Sequence, residues 1–156
     1  MAEMVYRFKS GAHVPKGVTP EGILEERDRI EHDYGAASIE NSVAAVLKHP
    51  DKYPNLRAFG PADKDAAWRD GIASGIRRAY RIVVVVRGEP EQKVQARQIR
   101  VIHSVQDGSG DLVYKPIQAI RESPSERKFL IGQLRRDADL FAERMRDTLA
   151  EIEEAT

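Results

Sequence analysis

The chain has 156 residues, 41% hydrophobic and 32% charged, with a formal net charge of zero, which is enough for one domain with a core under a heavily solvated surface. It contains no cysteine, so disulfides and thiolate metal sites are excluded, and aromatic residues at 6% are too few for broad base-stacking platforms. The opening Met1-Ala2-Glu3-Met4 lacks a basic segment followed by an apolar one, so no secretory signal is expected. The longest apolar run, Ile82 to Val86, is too short to span a bilayer.

In chain order, Val5-Tyr6-Arg7-Phe8 alternates and reads as a short edge strand or arm within residues 1–18. Thr19-Pro20-Glu21 reads as a helix start: a capping hydroxyl, proline at the first position and an acid that suits the helix dipole. Ile23, Leu24, Arg27, Ile30 and Tyr34 share one face of that helix, and Gly35 stops it. Ser38 opens a second helix that ends at His49-Pro50, because the residue before proline resists the helical region. The following loop carries Tyr53, Leu56 and Phe59 at even spacing, which predicts a segment pinned to the core.

Asp63 is a suitable cap for a third helix running to about Arg81, with Trp68, Ile72, Ile76 and Tyr80 as its apolar stripe. Beside it runs a stripe of small residues, Ala67, Gly71, Gly75 and Ala79. Each glycine costs roughly 1 kcal/mol relative to alanine inside a helix, so a compensating role is expected. Two stay open: close approach of another backbone, which would make the stripe a helix–helix or oligomer contact, or relief of crowding around Trp68.

β-Branched Ile82–Val86 reads as a buried strand, followed by a second strand through Ile99, Val101, His103 and Val105. The loop Asp107-Gly108-Ser109-Gly110-Asp111 then closes a hairpin onto Leu112-Val113-Tyr114. Three consecutive strands within residues 82–117 predict a short antiparallel meander. Ser123-Pro124-Ser125-Glu126 is a capping box that opens a long helix over residues 123–154. Leu130, Leu134, Ala138, Phe141, Met145, Leu149 and Ile152 recur along it in steps of three or four. About 30 residues span roughly 45 Å, well beyond the ~15 Å radius of gyration expected for a compact chain of this length. The acidic far end therefore either projects toward another copy or lies along the body with a frayed tip. The expected fold is a single α+β domain, 1–156, mostly helical: three N-terminal helices over 19–81, the meander, and the long amphipathic C-terminal helix.

No catalytic signature is present. There is no Gly-x-Ser-x-Gly, Walker loop or Gly-x-Gly-x-x-Gly, and His13, His32, His49 and His103 are far apart. The Asp107–Asp111 loop does not have EF-hand spacing and reads as turn chemistry. Catalytic, cofactor and metal sites are accordingly expected to be absent. Charge is segregated, however: residues 69–100 hold eight basic against three acidic side chains, while both flanks are acidic on balance. Arg77, Arg78, Arg81, Arg87, Lys93, Arg97 and Arg100 could pair with the acidic flanks or contact phosphates.

Several features also match in order and spacing a known pattern: Tyr6-Arg7-Phe8-Lys9-Ser10-Gly11, Thr19-Pro20-Glu21, Asn55-Leu56-Arg57-Ala58-Phe59, and Asp65-Ala66-Ala67-Trp68-Arg69. The passage from Arg77 and Arg78 into a strand, Tyr114-Lys115-Pro116-Ile117 and the long last helix complete it. The chain thereby resembles a group of small proteins of unassigned function from tailed phages and prophages, and departs from it at Gly60-Pro61, where the group has an aromatic-acidic run. The resemblance carries no catalytic residues. It supplies the context, host cytoplasm or virion; with the absent catalytic signature, the long amphipathic helix and the segregated charge, the expectation is a non-enzymatic assembly role, as a head-associated or connector-region component. The expected partners are further copies or virion proteins, with no membrane, and Phe141, Met145, Leu149 and Ile152 are the expected oligomer contacts. The alternative is a DNA-binding accessory or regulatory protein using residues 69–100.

Overall fold

Helix starts and stops follow from local chemistry. In a computed structural model, which describes residues 5–61, 68–87, 97–108 and 110–154, the first helix α1 spans Pro20–Tyr34 and the second, α2, Ile39–Lys48. Of residues 86, 87, 97 and 98 it describes the backbone. Thr19 Oγ1 accepts from Gly22 N at 3.0 Å and Ser38 Oγ from Asn41 N at 3.0 Å, each satisfying an amide that has no partner within its helix. Gly35, at φ 85°, ends α1 in the left-handed conformation that a side chain would strain.

The predicted pinned loop is more ordered than expected. It contains a single 3₁₀ turn, Pro50–Lys52, and a short helix, α3, Pro54–Ala58. Tyr53, Leu56 and Phe59 are all buried, as their spacing predicts. The next helix, α4, covers Trp68–Ile82 and places Ile72, Ile76 and Tyr80 in the core. The predicted cap Asp63 lies outside the described residues.

The helix α4 runs straight into strand β2, Val83–Arg87. Strand β1, Val5–Phe8, pairs antiparallel with one edge of β2, and β3, Arg97–Arg100, with the other. The predicted second strand is divided at Val101: its continuation β4, Ile102–Gln106, pairs instead with β5, Leu112–Pro116. Val101 joins the two ladders, since its N–H donates to Val83 O at 3.1 Å and its carbonyl accepts from Ile117 N at 2.7 Å. Val101 and Ile102 are both buried where the two ladders meet, so one bent strand serves two sheets of three and two strands.

Helix α5, Ile117–Glu122, had no signal in the periodicity, and α6, Pro124–Glu154, follows it. The fold is thus α+β and mostly helical, with the long C-terminal helix expected. The main core joins α1, α2, α3, α4 and the three-stranded sheet. A smaller cluster of Val105, Val113, Ile120 and Leu130 anchors the start of α6.

Candidate interaction site

The start of α6 is held by both packing and charge. Leu130 is buried, Phe129 packs against the same cluster, and the Lys115 ammonium ion-pairs with the buried Glu126 carboxylate. This pairing alters the predicted capping box. Ser123 Oγ still reaches Glu126 N, at 3.5 Å, but Glu126 turns to Lys115. A cation on β5 offers the carboxylate a charge-assisted bond, which is stronger than one to a neutral amide.

Beyond that anchor the helix leaves the body. Every residue from Leu134 to Glu154 is exposed, a span of about 30 Å at 1.5 Å per residue. Of the two outcomes left open by the sequence, the helix projects and does not lie along the body. Phe141 is 57% exposed, Met145 44%, Leu149 57% and Ile152 61%, and Leu134 and Ile131 continue the same face toward the body. From Leu134 to Ile152 the steps are four, three, four, four and three, which average one α-helical turn, so the stripe runs straight along the helix. Leu140, also exposed, stands off this stripe and carried no periodic signal. Isolated exposed apolar residues are ordinary, but an aligned row of them on a solvent-facing helix is not.

Of the two roles left open for the small-residue stripe on α4, close approach of another backbone is the one seen, and it is made within the chain. A β-carbon at Gly75 would lie 2.7 Å from the Phe59 carbonyl carbon, closer still to its oxygen, and 3.1 Å from Gly60 N. One at Gly71 would meet the Pro61 ring at 2.8 Å. Ala79 is wholly buried in the main core. The close-approaching backbone is therefore that of this chain's own Phe59–Gly60 segment, and Gly71, Gly75 and Ala79 are filled from within. Ala67 lies outside the described residues.

The basic segment is only partly assembled. Arg77, Arg78 and Arg81 are exposed on the last turns of α4, where cations also suit the helix dipole. The Arg78 guanidinium sits 5.3 Å from the Phe59 ring centre. Arg100 is half-buried and donates through Nε to Ile102 O at 2.8 Å, so that donor is used in holding the β3–β4 bend. Burial holds the Arg100 guanidinium below its usual range. Arg87 and Arg97 pair in the β2–β3 ladder through their backbones, and Lys93 lies outside the described residues.

The remaining polar groups bind the fold together. Glu26, 3% exposed, accepts from Asn55 N and Leu56 N at 3.0 Å each and from the Asn55 side chain, satisfying the first amides of α3. Burial pushes its carboxyl above the ordinary range despite these bonds. Arg27, 2% exposed, donates through Nε to Tyr114 O at 2.8 Å and pairs with Asp28 and Glu31. Its place on the apolar face was visible in the spacing of α1, whereas that of Glu26 was not, since a carboxylate there reads as solvent-facing. Tyr80, fully buried, shares a hydrogen bond of 2.9 Å with Ser42, and burial raises its hydroxyl well above the usual range.

His103 is buried against the Arg100 carbonyl, to which Nε2 donates at 3.0 Å, and burial lowers its pKa. Asp107 closes the hairpin loop through Asp111 N at 3.1 Å, with Gly110 at φ 89°. Among the described residues no three His, Asp or Glu side chains form a metal-binding group, and no helix is long and apolar enough to cross a membrane.

No protein-family model, curated protein or solved structure matches the chain.

Proposed function

We propose that the protein works by association, as a phage-type assembly protein and a component of the head or connector region of a virion. The observation that carries the associative part is the row of apolar side chains on α6 that nothing among the described residues covers. The virion context rests on the sequence resemblance, and with it the placement in host cytoplasm and particle. Anchoring α6 through its first two turns leaves the rest as a continuous helix that brings an apolar seam to a partner already in helical form.

The test is co-sedimentation of the full chain with assembled particles in a density gradient, comparing the native sequence with Phe141→Glu. The native chain is expected to travel with the particles and the variant to remain at the top. A native chain that stays at the top, and is strictly monomeric by light scattering, refutes the proposal.

A second reading is favoured by one observation, the exposure of Arg77, Arg78 and Arg81 along one end of α4. It makes the chain a DNA-binding accessory whose arginines contact phosphates. Replacing all three with glutamine should then abolish salt-sensitive DNA retention. Retention that is unchanged assigns the three arginines a structural or solvating role.

A further inference from the structure

We infer that the partner of α6 is α6 of a second copy, packed antiparallel about a two-fold axis close to Phe141. This rests on the associative reading and adds the identity and direction of the partner.

Charge along the helix sets the direction. Residues 127–136 contain Arg127, Lys128, Arg135 and Arg136 and no acid, whereas residues 137–154 contain seven carboxylates against two arginines. Parallel pairing would place basic stretch on basic stretch and acidic tip on acidic tip. Antiparallel pairing lays each acidic tip along the other copy's basic stretch and opposes the two helix dipoles favourably.

Side-chain size along the stripe supplies the register. With the axis between Leu140 and Phe141, the two Phe141 rings meet at the centre. Ala138, the one small residue of the stripe, falls between Phe141 and Met145 of the other copy. Leu134 then falls between the other copy's Met145 and Leu149, and Ile131 between its Leu149 and Ile152, so the knobs alternate without coinciding. On one flank this register faces Asp137 with Arg144 of the second copy, twice by symmetry. On the other flank it faces Arg135 with Arg146, also twice by symmetry, and these like-charge pairs are left in solvent, where repulsion is weak.

The size is adequate. About 24 paired residues per chain would cover on the order of 1,400 Å² in total, within the range of specific, stable interfaces. The straight stripe matches a pair of helices crossing with little supercoil, because its repeat averages that of an undistorted helix.

The experiment uses the full chain in sedimentation equilibrium over a concentration series. The native chain should be a dimer, and Phe141→Glu, at a position already exposed in the single chain, should raise the dimer dissociation constant by at least 100-fold. Asp137→Arg and Arg144→Asp should each weaken the dimer several-fold, and the double swap should restore it, which parallel pairing does not predict. Because the chain has no cysteine, Asp137→Cys chains mixed with Arg144→Cys chains should oxidise to the mixed disulfide dimer. Asp137→Cys joined mainly to itself would overturn the antiparallel arrangement while leaving association intact. A native chain that is monomeric at all concentrations, yet still sediments with particles in a Phe141-dependent way, would overturn self-pairing and leave the proposed function standing.

Discussion

Two glycines inside helices should respond to the same substitution with opposite signs. Alanine is favoured over glycine in a helix interior by about 1 kcal/mol. At Gly132 the added β-carbon meets only the tip of Arg136, at 3.5 Å, so that gain is retained and Gly132→Ala should stabilise by roughly 0.5–1 kcal/mol. At Gly75 the β-carbon would stand 2.7 Å from the Phe59 carbonyl carbon and 3.1 Å from Gly60 N, where ordinary contact begins near 3.5 Å. The obstruction is backbone, so α4 and the Phe59–Gly60 segment must separate by about 1 Å, which loosens Phe59, Leu56 and Ile72. Overpacking of this kind costs about 3 kcal/mol at the upper end of its range, and the propensity gain offsets about 1, leaving a loss of about 2 kcal/mol. For a chain of this length that is a fall in Tm of roughly 6 °C. Urea titration followed by fluorescence of Trp68, the single tryptophan, reads the effect at the start of α4. Stabilisation by Gly75→Ala, or equal shifts at both positions, would show that the close approach at Gly75 does not constrain α4.

Two further outcomes follow from the buried polar groups. Arg27→Lys should cost about 2–3 kcal/mol in urea titrations, because a single ammonium cannot reach Tyr114 O and the Asp28 and Glu31 carboxylates as the buried guanidinium fork does. A variant as stable as the native chain would make that network dispensable. His103 has its folded-state pKa lowered from 6.5 by burial, so the unfolded chain takes up the proton first. Its contribution is present above pH 6.5 and is lost as the pH falls below that value toward the folded-state pKa. His103→Gln should flatten that part of the pH profile of stability, and an unchanged slope would assign it to another group.

Much of the fold was legible because its signals are local. Thr19, Gly35, Ser38 and Pro50 set helix ends through their own backbone and side-chain chemistry, and they lie where they were read. The stripe on α6 was equally visible, since three- and four-residue spacing needs no knowledge of neighbours. Less legible were features with distant causes. Val101 alternates like a residue of one strand, yet its two backbone hydrogen bonds go to Val83 and Ile117, and only those partners divide the ladder. Glu126 has the spacing of a capping box and is drawn instead to Lys115, eleven residues back on another element.

The site divides in the same way. Gly71, Gly75, Ala79 and the α6 stripe read alike in the sequence, as surfaces able to accept another backbone or helix. The amino-acid sequence by itself determined that both faces need covering, because exposed apolar area and helix-interior glycine are each costly. Tertiary structure alone decided which of them this chain covers. The path of residues 53–61 brings Phe59 and Gly60 onto α4 and fills the first face, while the small cluster around Leu130 ends the body of the protein two turns into α6. The rest of that helix is therefore left in solvent: burial depends on which elements meet, and periodicity records only which side of an element wants to be met.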